Sequence, residues 1–234
     1  MEHKRLTLFA GHYGSGKTNI AVNYALTLSR EGTKVCIADL DIVNPYFRTK
    51  DSATVLENAG VELISPQFAN TNVDLPALPA EAYKLVTDRS TYAIMDIGGD
   101  DRGAYALGRY VPSILEEDNY RMIFVANCYR PLTRTPEDAL EVMREIEAAC
   151  GLAFTDIINN SNLGSETTAE TVNDSREFAE NLSRLSGLPV FATTATAAVA
   201  ADLQDQKEPV MALKLQEKYF DLPSQKPVNR PLWG

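Results

Sequence analysis

Hydrophobic and polar positions along the chain alternate between two periods. Short apolar, β-branched runs recur at LTLFAG (6–11), KVCIADLD (34–41), VELIS (61–65), YAIMDIGG (92–99), MIFVANC (122–128), TDIINN (155–160) and LPVFATT (188–194). Runs this short, bounded by Gly, Pro or Asn, predict strands covered on both faces. Helical spacing lies between most of them. After Lys17, the residues Ile20, Ala21, Tyr24 and Leu28 share one face. Thr135-Pro136-Glu137-Asp138 reads as a helix start, with a capping hydroxyl, proline in the first turn and carboxylates at the positive dipole end. Leu140, Met143, Ile146 and Cys150 form the stripe that follows, and Gly151 ends it. Phe178, Leu182 and Leu185 mark another helix before Gly187.

Strand–helix repetition implies parallel strands joined by right-handed crossovers. The fold class expected is α/β, a single doubly wound, mainly parallel sheet of about seven strands with helices on both faces. A chain of 234 residues suits one such domain over 1–234. Its core is expected over about 5–195, with a terminal segment, 196–234, docked on it. Within that segment PVMALKLQEKYF (209–220) reads as an amphipathic helix before a Pro-rich tail. Sheets of this kind bind ligands at the carboxyl ends of their strands, so the residues that close each strand are the candidates for chemistry.

The first strand closes on GHYGSGKT, residues 11–18, which fits G-x-x-x-x-G-K-[ST] between a predicted strand and a predicted helix. Gly11, Gly14 and Gly16 allow positive φ, so that successive N–H groups can turn toward phosphate oxygens. The helix N-terminus beneath adds to the attraction. Lys17 suits the β- and γ-phosphates and the Thr18 hydroxyl suits Mg²⁺. A dinucleotide G-x-G-x-x-G reading fails, because Asn19 stands three residues after Gly16. His12, Tyr13, Ser15 and Asn19 complete the expected nucleotide-contact set.

A phosphate cradle needs carboxylates for metal and water. Asp96 closes the YAIMDIGG strand, where it can hold Mg²⁺, usually through water. The run continues as D-x-x-G to Gly99, whose N–H is placed to sense a γ-phosphate. Asp39 and Asp41 in ADLD are two apart, which on a strand aims both at one face. The alternative for one of the two is a cap on the next turn.

Taken together, GHYGSGKT, ADLD, MDIGG and IINN resemble the SIMIBI class of P-loop NTPases, specifically the CobQ/CobB/MinD/ParA nucleotide-binding family. The resemblance runs in order over about residues 5–195. It implies ATP and Mg²⁺ as cofactors, with Lys17 and Thr18 on phosphate and metal. It further implies Asp41 as the group that positions or activates the attacking water, Asp39 on the metal side and Asp96 as the Walker B carboxylate. An asparagine that reads adenine matches Asn159 or Asn160. The N-K-x-D signature of many GTPases is absent, which favours ATP. One departure stands out. Where MinD- and ParA-like members carry a signature lysine that reaches across a dimer, this chain has His12. His12 is either a partial substitute or a plain loop residue.

Three further segments should gather on the same side of the sheet: DIVNPYFRTKD (41–51), PQFANTNVDLPALP (66–79) and NCYRPLT (127–133). They bring Arg48, Tyr46, Asn127, Tyr129 and Arg130 toward one cleft, with Arg102 as another candidate. Arg48, Asn127 and Arg130 form the candidate set for a second ligand, since a guanidinium fork suits phosphate or carboxylate.

Composition narrows the readings. A net charge of −10 argues against nucleic acid as the partner. The N-terminal apolar run is too short for a signal peptide, and no stretch approaches ~18 uninterrupted apolar residues, so no membrane partner is expected. In the 209–220 segment and just beyond, Lys214 and Lys218 are offset by Glu217 and Asp221, leaving no basic face for a membrane. Cys36, Cys128 and Cys150 show no metal-like spacing and fit a reduced, cytoplasmic protein. Three functions stay open: a slow ATPase acting as a nucleotide-dependent switch, with a homodimer or an unknown protein as partner; an enzyme activating a carboxylate with ATP, of the dethiobiotin synthetase or cobyrinic-acid amidase type; and a small-molecule kinase. A non-enzymatic ATP-binding module is the fallback.

Overall fold

The computed structural model describes residues 3–40, 52–64, 80–98, 101–203 and 207–215. Eight strands form one sheet: β1 Leu6–Ala10, β2 Val35–Leu40, β3 Glu62–Ile64, β4 Tyr92–Ile97, β5 Tyr120–Ala126, β6 Asp156–Asn159, β7 Val190–Thr196 and β8 Val210–Leu213. They lie in the order β3-β2-β4-β1-β5-β6-β7-β8, and every pairing is parallel. The helices between them are α1 Lys17–Arg30, α2 Ala53–Asn58, α3 Lys84–Thr87, α4 Asp101–Gly108, α5 Val111–Glu117, α6 Pro136–Cys150, α7 Ala169–Asp174, α8 Arg176–Ser186 and α9 Ala197–Asp202.

Alternation along the strands divides the core in two. Phe9, Ile37, Ile94, Ile123 and Ile158 pack on one face with Ile20, Tyr24 and Leu28 of α1 and Leu56 of α2. Leu8, Met95, Met122 and Phe124 pack on the other with Leu85, Leu107, Ile114, Met143 and Leu182 of α3 to α6 and α8. A parallel sheet needs cover on both faces because its strands are apolar throughout. All seven strands expected from the sequence are present. The α6 start is as expected: Thr135 accepts from the Asp138 N–H, the Asp138 carboxylate accepts from the Thr135 N–H, and Gly151 leaves the helix with φ 75°.

Two expectations are corrected. Leu185 does not join the α8 stripe; it is exposed, while Phe178 and Leu182 are buried. Residues 210–213 of the segment read as a terminal helix form β8 instead, and 216–220 lie outside the described residues. The reason is tertiary. The edge of β7 offers unpaired backbone groups, and Thr193 N–H donates to the Pro209 carbonyl at 3.0 Å to start the pairing. A four-residue apolar stretch gains more there than from an isolated helical turn.

Strand β1 lies between β4 and β5, and the connection from β4 to β5 carries the chain across it. The loop after β1 therefore sits where the strand order changes side, the position at which such sheets bind ligands. Below it, at the opposite end of the sheet, the buried Arg5 guanidinium pairs through two nitrogens with the buried Glu117 carboxylate. Its remaining amino group donates to the carbonyls of Leu85 (3.0 Å), Asp88 (3.2 Å) and Thr91 (3.0 Å). This knot fixes the amino end of β1 against the segments flanking β4 and β5. No helix among the described residues is long and apolar enough to cross a membrane.

Glu117→Gln leaves the Arg5 charge buried without its counter-charge, for which about 3–5 kcal/mol of destabilisation is expected. Chemical denaturation measures it; a loss under about 1 kcal/mol, the level of a surface pair, would contradict the role given to this knot.

Candidate nucleotide-binding site

The loop between β1 and α1 is shaped by what stands beside it. A side chain on Gly11 would put its Cβ 2.5 Å from the Val125 carbonyl oxygen, because β5 runs directly alongside. Gly16 caps α1 with φ 90°, and a Cβ there would lie 2.2 Å from Asn160 Nδ2. Backbone crowding leaves no room for a side chain at Gly11, and the left-handed φ favours glycine at Gly16. The turn is closed by the Ser15 N–H donating to the His12 carbonyl at 3.0 Å. Lys17 and Thr18 follow, both buried, at the first turn of α1.

A cavity of about 350 Å³ opens over this loop. Tyr13, Gly14, Gly16, Lys17, Thr18 and Asn19 line it, with Arg130 and Asn160. So do Asn162, Gly164 and Thr167 after β6, Thr194 to Thr196 of β7, and Leu213 and Leu215 of the β8 segment. The volume lies in the range of small-molecule sites.

The two sequence-nominated asparagines part company. Asn160 lines the cavity. Its Nδ2 donates to the Ser15 carbonyl, its Oδ1 accepts from the Thr194 hydroxyl, and its N–H donates to the Ala126 carbonyl at 2.8 Å. It thereby ties the 11–18 loop to the ends of β5 and β7. Asn159 is not in the wall: it donates to Ser175 Oγ at 2.9 Å and accepts from the Ser161 N–H at 3.2 Å, fastening β6 to the start of α8.

Asp39 and Asp96 stand abreast on the neighbouring strands β2 and β4, both buried. Each follows by two residues an isoleucine, Ile37 or Ile94, that packs on the α1 face, so both carboxylates continue that face toward the carboxyl ends of the strands. Asp96 is also level with Phe9, two residues before Gly11. Among the described residues no cluster of three His, Cys, Asp or Glu could hold a metal by itself. A Mg²⁺ held by one or two protein groups, waters and substrate phosphates does not need such a cluster.

Of the candidate second-ligand residues, Arg130 reaches the cavity and its Nε donates to the Gly14 carbonyl at 2.9 Å. Asn127 is fully buried and shapes the turn instead. Its Oδ1 accepts from the Tyr129 N–H (3.0 Å), and its carbonyl accepts from the Thr133 hydroxyl (2.7 Å) and the Arg130 N–H (3.2 Å). Tyr129 turns toward α7, donating to the Thr171 carbonyl at 2.7 Å. Burial pushes the neighbouring Cys128 thiol up, away from nucleophilic use at neutral pH. His12 is half-buried, its Nδ1 bonded to the adjacent Tyr13 carbonyl at 2.9 Å. Asp41, Tyr46, Arg48, Gly99 and the 66–79 loop lie outside the described residues, as does the side chain of Arg102. Asn162, Thr167, Thr194, Thr196, Leu213 and Leu215 are wall residues that the sequence reading missed. For Asn162, Thr194 and Thr196 a signal existed: they stand near the carboxyl ends of β6 and β7.

The architecture is shared with solved P-loop proteins. The cell division protein FtsY of Thermotoga maritima superposes with a TM-score of 0.56 at 17% identity, over 81% of this chain and 61% of that one. Chloroplast FtsY of Physcomitrella patens gives 0.55 at 16% identity, over 82% and 59%. The signal recognition particle receptor FtsY of Elizabethkingia anophelis, solved in complex with GDP, gives 0.50 at 15% identity, over 83% and 58%. The likeness is one of fold, an open parallel sheet with helices on both faces. This chain spans about three fifths of the length of those structures. No family model matches the sequence, and no curated protein matches it.

Asn160→Ala removes both side-chain bonds that fasten the loop and leaves a buried carbonyl and hydroxyl without them. A loss of about 2–4 kcal/mol is expected, read by calorimetry as a Tm lowered by roughly 5–15 °C. An unchanged Tm would mean that the loop is held by other contacts.

Proposed function

We propose that the protein binds Mg·ATP at the 11–18 loop, hydrolyses it slowly and acts as a nucleotide-dependent switch, within a single nucleotide-binding domain of the CobQ/CobB/MinD/ParA type. The observation that carries this reading is the meeting of two features at one end of the sheet. A glycine-built loop closes on buried Lys17 and Thr18, and the paired carboxylates Asp39 and Asp96 end the two strands on its flank.

The chemistry follows from the residues. Loop N–H groups and the α1 N-terminus attract phosphate oxygens. Lys17 offsets charge on the β- and γ-phosphates. The Thr18 hydroxyl, with Asp39 and Asp96 acting through water, would hold Mg²⁺, which when bound neutralises charge on the phosphates. Two carboxylates side by side and buried suit a divalent cation for the same reason that they repel each other. Asp41 orients the attacking water, and Gly99 senses the γ-phosphate. Arg130, steadied on Gly14, offers its amino groups to phosphate from the opposite side.

For the base, the described cavity wall carries the amides Asn160 and Asn162 and the hydroxyls of Thr167, Thr194 and Thr196, and no carboxylate. Adenine presents one donor beside one acceptor, which an amide matches. Guanine presents two adjacent donors, best met by a carboxylate. ATP is therefore the nucleotide proposed, although GDP occupies one of the solved structures of this fold. The fold gives no support to a carboxylate-activating enzyme or a small-molecule kinase over the switch. The residues that remain for a second ligand reduce to Arg130 among those described.

Titration calorimetry with Mg²⁺ distinguishes the nucleotides: ATP is expected to bind at least about tenfold more tightly than GTP, a difference of about 1.4 kcal/mol. The reverse order would make this a guanine-nucleotide switch. Asp41→Asn is expected to keep ATP affinity within about threefold while phosphate release falls at least about a hundredfold. Undiminished release in that variant would remove Asp41 from the water-positioning role.

A further inference from the structure

We infer that the edge strand β8 supplies the base-binding wall of the cavity and that Asn23, on the phosphate-binding helix α1, is the residue that positions it. The inference rests on the nucleotide reading above and names the part of the site that the loop motif does not.

Asn23 lies on α1 five residues after Thr18. Its carboxamide makes three hydrogen bonds: Nδ2 donates to the Asn19 carbonyl at 2.8 Å and to the Lys214 carbonyl at 2.9 Å, and Oδ1 accepts from the Lys214 N–H at 2.9 Å. Both donors and the acceptor are engaged. The pair of bonds to one residue's N–H and C=O is the pattern an adjacent strand would provide. An edge strand ordinarily leaves such groups to solvent, and four residues of edge are weakly held. Asn23 thus fixes the chain just past the end of β8 to the helix whose N-terminus faces the phosphate loop.

The residues on either side of Lys214 are the two leucines of the cavity. Leu213 is level with Thr196 of β7 and packs into the α1-side core. Leu215 keeps 50% of its surface exposed, yet it too lines the cavity. A half-exposed leucine beside a buried one, next to the hydroxyls of Thr194 and Thr196, makes an apolar surface edged with hydrogen-bonding groups. That combination suits a flat heteroaromatic base and suits phosphate poorly. Gly16, Lys17 and Thr18, which line the same cavity, have the reverse chemistry. One helix therefore carries the phosphate site at its tip and holds the base wall from its flank, which fixes the distance between them.

Inorganic tripolyphosphate separates the two roles, because it can fill a phosphate site and has no base to meet the wall. Titrations of Mg·ATP and Mg·tripolyphosphate are run on the intact protein, on Asn23→Ala and on Leu215→Ser. The intact protein should bind ATP at least about tenfold more tightly than tripolyphosphate. Each variant should lose roughly 5–30-fold in ATP affinity, the equivalent of about 1–2 kcal/mol, with tripolyphosphate unchanged within about twofold. Equal losses on both ligands in Asn23→Ala would mean that Asn23 merely supports the loop, and would overturn the inference. So would ATP affinity unaltered in Leu215→Ser, a substitution at an exposed site that carries the test alone should Asn23→Ala fail to fold. Intact protein that binds tripolyphosphate no more weakly than ATP would refute the base wall and leave the phosphate site standing. Intact protein that binds neither would refute the nucleotide reading itself.

Discussion

The site depends on how closely the chain leaving β1 must pass its neighbours. Strand β5 runs so near that Gly11 has no room for a Cβ beside the Val125 carbonyl, and Asn160 presses as closely on Gly16. The first approach forces glycine at Gly11, and a left-handed φ of 90° favours it at Gly16. In return the close approaches let Asn160 clasp the Ser15 carbonyl and bind the loop to β5 and β7 together. A loop held this way keeps its N–H groups in place before any ligand arrives, and preorganised dipoles stabilise charge without having to reorient.

Around that constraint the rest of the molecule divides its labour by height in the sheet. The amino ends of the strands carry the Arg5–Glu117 knot, far from the cavity. The middle is apolar on both faces. Polar groups reappear at the carboxyl ends: Asp39 and Asp96 on one side of β1, and Asn127, Asn160, Thr194 and Thr196 on the other. Carboxylates and amides thus lie on opposite flanks of the phosphate loop. On the proposed reading, that separation would give metal chemistry one side and base recognition the other.

Much of this was legible in the sequence, and the physical reasons differ from place to place. Seven strands announced themselves as short apolar runs, most of them because they are covered on both faces, and α6 did so through its capping residues. The phosphate loop was legible because only glycine solves its steric problem. β8 was not. Its four residues carry no periodicity that separates strand from helix, and their conformation is decided by the open edge of β7 and by the Asn23 carboxamide, far away in sequence. Neither could sequence separate Asn159 from Asn160: adjacent residues at a strand end point to opposite sides, and which side meets the cavity depends on where the phosphate loop crosses. Asn127 and Arg130 looked equivalent as polar loop residues, but burial spends one on the turn and leaves the other at the cavity.

Amide hydrogen exchange with and without Mg·ATP tests the central claim, that this cavity takes a nucleotide with its phosphates on the 11–18 loop. The account predicts at least about tenfold slower exchange across residues 12–18, accompanied by slowing at 213–215, where the base wall is fixed to α1. Unchanged exchange across 12–18 at ligand concentrations that saturate binding would place the nucleotide elsewhere and contradict the account.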